Sequence, residues 1–66
     1  MRIDKIKLVS ELTRRGMTQK QLAELSNVSR TTINYIKCGK SCSDDVGHKI
    51  ADALNLDICE IVEVDQ

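Results

Sequence analysis

The stretch from Thr18 to Lys40, TQKQLAELSNVSRTTINYIKCGK, constrains this chain more than any other. It encodes two short helices with too little chain between them for anything but a tight turn. Thr18 is a helix N-cap, and Gln21 three residues later completes a capping box. Leu22, Ala23 and Leu25 supply the apolar positions of the first helix. Ser26-Asn27-Val28-Ser29 then breaks it, and Asn27 suits the left-handed conformation that ends a helix. Ser29 caps a second helix, in which Ile33 and Ile36 point inward and which Gly39 stops.

The polar residues of that second helix carry the chemistry. Arg30, Thr31, Asn34 and Tyr35 fall off the Ile33/Ile36 stripe at helical spacing, so they are expected to be exposed. Arg reads guanine edges, Asn reads adenine, and Thr or Tyr bonds bases or phosphates. A helix with that outward set, braced by a capped helix in front, is a helix-turn-helix, here over residues 18–38. Thr18 and Lys20 lie at the start of the first helix, where free backbone N–H groups bind phosphate. Lys37 and Lys40, beside the end of the second, suit backbone phosphate or the helix dipole. Thr32 either turns its hydroxyl to phosphate or packs its methyl against the first helix.

The pattern TQ-x-x-LA…S-x-VS-x-x-x-I-x-x-I-x-x-GK resembles the lambda-repressor-like (Cro/C1, or XRE) DNA-binding family. KIADALNLDICEI, further on, resembles that family's fourth and fifth helices. The resemblance runs roughly from Lys5 to Val62. It implies an all-α, compact five-helix DNA-binding domain with its helix-turn-helix at helices 2 and 3. It also implies that Arg30, Thr31 and Tyr35 are specificity positions, with Asn34 at their edge, and that Gln19 bonds a phosphate or a base edge. The chain departs from the family at two places. Many members have a Glu at the position of Lys37 and an Arg at that of Leu12, and many have a Pro in the loop that here reads Lys40-Ser41-Cys42-Ser43.

Charge fits this reading once its distribution is considered. The formal net charge is zero, but residues 1–40 hold nine Lys/Arg against three acids, a net +6, and residues 41–66 hold one Lys against seven acids, a net −6. Such asymmetry suggests a basic face for phosphate and an acidic face turned away from it.

The flanks read as further helices. Residues 3 to 15 form the first, with Ile3, Ile6, Val9 and Thr13 in one row and Leu8 and Leu12 in the next. Arg14 and Arg15 complement the dipole of its last turn, or reach phosphate. Gly16 closes it, and Met17 fills the core. Ser43 caps a later helix whose start Asp44 and Asp45 favour, with Val46, Ile50, Ala51 and Leu54 as its apolar stripe. Gly47 within it costs roughly 1 kcal/mol against Ala, which a close helix–helix approach would explain. His48 reads as a surface residue. Asn55 ends that helix, and Leu56 tucks back. Asp57-Ile58-Cys59-Glu60 is a capping box that starts a short fifth helix. Ile58, Ile61, Val62 and Val64 then give more apolar surface than one short helix needs, so segment 57–64 is expected to be a homodimer contact, as the family's last helix often is.

Other functions find little support. A chain of 66 residues allows one domain, 1–66, which buries only about 60% of its unfolded surface. There is no Pro, Phe or Trp and one Tyr, and Leu, Ile, Val and Ala favour a small helical core. No apolar run approaches a membrane span, and MRIDKIK is not followed by a signal-peptide core, so the chain reads as cytoplasmic. The three cysteines, an odd count, argue against a disulfide scaffold. Cys38-x-x-x-Cys42 with His48 lacks zinc spacing, so no metal is assigned. No catalytic signature, cofactor motif or small-molecule site appears. The expectation is a transcriptional regulator, a repressor that binds a near-palindromic operator in double-stranded DNA as a homodimer. The alternative is a protein-interaction module, such as an antitoxin whose main partner is another protein.

Overall fold

Each α-helix of this protein begins at a side chain that closes its first turn. The computed structural model describes residues 1–63, and four α-helices follow one another in it: α1 (Lys5–Arg15), α2 (Gln19–Ser26), α3 (Arg30–Lys37) and α4 (Asp44–Ala53). Asp4, Thr18, Ser29 and Ser43 are their N-caps, and each accepts a hydrogen bond from a first-turn N–H. At α2 the capping box is complete: Gln21 N–H donates to Thr18 Oγ1 at 3.1 Å, and Thr18 N–H donates to Gln21 Oε1 at 2.9 Å. Asn27, after α2, takes the left-handed conformation at φ 58°, and Gly39, after α3, sits at φ 94°.

The helices enclose one core. Leu8 and Leu12 of α1, Leu22 of α2, Ile33 and Ile36 of α3, and Ile50, Ala51 and Leu54 of α4 all contribute to it, with Val28 plugging the α2–α3 turn. The helix α2 packs on both α3 and α4, and α1 packs on α3. Among the described residues no helix is long and apolar enough to cross a membrane.

Four expectations are corrected by this packing. The first helix starts at Lys5 rather than residue 3, because Asp4 Oδ1 accepts from the N–H groups of Ile6 and Lys7 and so fixes the cap there. Ile3 is then extended, forms an isolated antiparallel bridge with Val62, and is fully buried. Ile6, three residues on, is 72% exposed, and Val9 and Thr13 are exposed too, so the buried face of α1 is the Leu8/Leu12 row alone. On α2, Leu25 is likewise 61% exposed and lies outside the core.

The fifth helix shrinks to a single 3-10 turn, Ile58–Glu60. Glu60 does reach back, accepting from Asp57 N–H at 2.9 Å. The chain cannot continue as a helix, because Asp4 N–H donates to Ile61 C=O and Glu63 N–H donates to Arg2 C=O, which draws it straight alongside residues 2–4. Ile61 is thereby fully buried in the core of its own chain, where the sequence reading turned it toward a partner. Ile58 and Val62 are half-buried, and Val64 lies outside the described residues.

Gly47 has a different neighbour from the one expected. The atoms nearest to it belong to Met1 rather than to a neighbouring helix. A Cβ at this position would run into Met1 Sδ, because the Met1 side chain lies against α4. The Met1 backbone is docked as well: its ammonium donates to Cys42 C=O at 2.9 Å, Cys42 N–H donates to Met1 C=O at 2.8 Å, and Asp44 Oδ1 stands 3.7 Å from the ammonium. This reciprocal pair defines the α3–α4 loop, which has no Pro.

Candidate nucleic-acid interface

The turn Asn27–Ser29 joins α2 to α3, and its three residues set the angle between them. Val28 is buried beneath it, and Ser26, also buried, donates its hydroxyl to Leu22 C=O at 2.7 Å. Ser29 both caps α3, accepting from Thr32 N–H at 3.2 Å, and pairs hydroxyl to hydroxyl with Thr32 at 2.8 Å. The hydroxyl of Thr32 is therefore engaged with the cap, and its side chain is only partly accessible.

With Ile33 and Ile36 fully buried, the helical period turns Arg30, Thr31, Asn34 and Tyr35 outward. These four side chains, with Gln19 from the first turn of α2, line one concavity on the surface. Residues from two segments eleven positions apart thus share a single face. The set offers a guanidinium fork, a carboxamide from each helix, and two hydroxyls, which is hydrogen-bonding capacity for base edges. Beside it the capping box occupies the N–H groups of Thr18 and Gln21. Gln19 and Lys20 carry the first-turn N–H groups that remain for an incoming acceptor such as phosphate.

The ion pairs sort the basic residues into two groups. Arg14 and Arg15 both hydrogen-bond to Glu11 Oε2, Arg2 lies 3.8 Å from Glu63, and Lys49 lies 3.3 Å from Asp45. The guanidinium of Arg14, and then that of Arg15, hold the Glu11 carboxyl below the usual carboxylate range. Arg14 and Arg15 are thus engaged with an acid on their own helix. The four cations of the α2–α3 region, Lys20, Arg30, Lys37 and Lys40, form no ion pair among the described residues. Lys37 is half-buried, whereas Lys20 and Lys40 are exposed. Lys40 also does something its sequence position does not announce: its Nζ stands over the Tyr35 ring, 4.9 Å from the centroid.

The three thiols are free. Cys38, the C-cap of α3, and Cys59 are exposed, while Cys42 is partly buried and burial pushes its thiol pKa up. Among the described residues no three His, Cys, Asp or Glu side chains gather as a metal site would need.

The helix-turn-helix family profile matches residues 9–61, which covers most of the chain. This is a helix-turn-helix protein of the lambda-repressor-like (Cro/C1, XRE) family. No curated protein and no solved structure matches the chain. Membership gives this helix-turn-helix protein the role of a DNA-binding transcriptional regulator.

Proposed function

We propose that this protein is a repressor that acts in the cytoplasm and binds a near-palindromic operator as a homodimer. Helix α3 enters the major groove, where Arg30, Thr31, Asn34 and Tyr35, with Gln19 from α2, read base edges. Thr18, Lys20, Thr32, Lys37 and Lys40 hold the flanking phosphates, Thr32 through whatever hydrogen-bonding capacity its contact with Ser29 leaves. Two protomers set their recognition helices about 34 Å apart, one turn of the duplex. With Ile61 taken up by the core, the dimer contact rests on the outer faces of Ile58 and Val62 and on Val64, which lies outside the described residues.

The observation that carries this reading is the shared concavity of Gln19, Arg30, Thr31, Asn34 and Tyr35, flanked by cations that no acid in the described chain neutralises. Such cations gain most from a polyanion, because counterions released from the duplex favour binding.

Selection from a random duplex pool, with wild type and Arg30→Ala side by side, tests the proposal. An inverted repeat is expected to emerge with the wild type. Arg30→Ala is expected to relax one position of each half-site, at a cost of about 1–3 kcal/mol. A pool that shows no enrichment, with only weak salt-sensitive binding, refutes the operator-binding repressor and leaves the protein-interaction module as the working reading.

A further inference from the structure

We infer that Lys40 is a positioning residue for Tyr35, holding its ring at the angle from which it meets the groove. This rests on the reading of α3 as the recognition helix. Tyr35 is the only Phe, Tyr or Trp in the chain, so no second benzenoid or indole ring stacks on it. It is 49% exposed, and its hydroxyl has no hydrogen-bond partner among the described residues. A half-exposed tyrosine with a free hydroxyl would ordinarily sample several rotamers. One contact from Lys40 limits this one, and a backbone hydrogen bond puts Lys40 within reach to make it. Gly39, at φ 94°, reverses the chain, so that Lys40 N–H donates back to Tyr35 C=O at 3.0 Å. The Lys40 side chain then lies over the ring, with its ammonium 4.9 Å from the centroid. The ammonium also keeps its charge free of any acid among the described residues, which preserves its attraction to the ring quadrupole.

An exposed cation–π contact of this kind multiplies the population of the held rotamer about two- to five-fold. A side chain that reads a base from one rotamer loses that factor in discrimination when the brace is removed. A lysine that touches only phosphate behaves differently, weakening all sequences alike and lowering the salt slope by about one.

The experiment is a double-mutant cycle on the selected duplex. Tyr35→Leu first identifies the base pair whose preference depends on Tyr35. Lys40→Met keeps the aliphatic stem and removes the charge. It is expected to relax the same base pair about two- to five-fold in the wild-type background and to leave it unchanged in the Tyr35→Leu background. Lys40→Arg, which retains a cation for the ring, is expected to preserve the preference. In the DNA-free protein, Tyr35 ring proton shifts are expected to move with Lys40→Met and far less with Lys40→Arg. Uniform loss of affinity in both backgrounds, with selectivity intact, overturns the positioning role while leaving the DNA-binding reading in place. Unmoved ring protons overturn it without reference to DNA. A wild type that selects no sequence overturns the parent reading, and this one with it.

Discussion

Ile3 and Ile6 are the same residue three positions apart, and the structure treats them oppositely. Ile3 is fully buried and bridged to Val62, whereas Ile6 is 72% exposed on α1. Truncating each to Ala measures that difference. At position 3 the loss is that of a closed core site, about 2–5 kcal/mol for Ile→Ala. A domain of this size is stabilised by about 3–10 kcal/mol in total, so this single change removes a large share of it. At position 6 little more than a quarter of the side chain leaves water. Of the roughly 1.5–3 kcal/mol that full burial of an isoleucine is worth, well under 1 is at stake. The helix propensity of Ala returns a few tenths of a kcal/mol, and the net change is near zero. Urea and thermal melts followed by circular dichroism read both. At about 4–8 °C per kcal/mol, Ile3→Ala lowers Tm by about 8 °C or more, and Ile6→Ala leaves it within a few degrees. Ile3→Val, at about 0.5–1.5 kcal/mol, gives a measurable value if the alanine variant does not fold. Equal losses at the two positions, at low and unchanging protein concentration, would refute the placement of the N-terminal segment.

Two further outcomes follow from the charges and thiols. Glu11 is held below its ordinary pKa of 4.5 by Arg14 and Arg15. A carboxyl with a depressed folded value adds stability above its unfolded pKa and loses it as pH falls through the folded one. The stability of wild type over Glu11→Gln is therefore expected to be constant above about pH 5 and to shrink below it, as read by melts across pH, and a difference that grows toward acid would contradict the ion pairs. Alkylation followed by mass spectrometry is expected to modify Cys38 and Cys59 first and Cys42 last, because Cys42 is partly buried with a raised pKa. Modification of Cys42 ahead of the others would mean that the α3–α4 loop is open.

The parts of this fold that were legible in the sequence are those decided within four residues. Thr18 with Gln21, Ser29 and Ser43 announce helix starts through their own oxygens, and Asn27, Gly39 and Asn55 announce ends through left-handed backbone. The outward set on α3 was legible for the same reason, since Ile33 and Ile36 fix the helix phase. What escaped was decided by distant chain. Periodicity ranks Ile3 and Ile6 alike, and only the bridge to Val62 separates them. Gly47 signals that something comes close, but a helix and the Met1 side chain leave the same mark on the sequence. The apolar run from Ile58 suggested a surplus for a partner, yet Ile61 is consumed by the core that Ile3 completes. The contact of Lys40 with Tyr35 depends on the reversal at Gly39 and on a side-chain rotamer, neither of which a spacing rule records.

The docking of residues 1–4 also sets an order of events. Met1 pairs with Cys42, Arg2 with Glu63 and Asp4 with Ile61. Residues 1–4 therefore wait for partners made some forty to sixty residues later, an interval of several seconds at about 5–20 residues per second. In that time α1, α2 and α3 can form on their own caps, but the seam between Ile3 and Ile61 stays open to water. The fold closes along this seam, and it does so late.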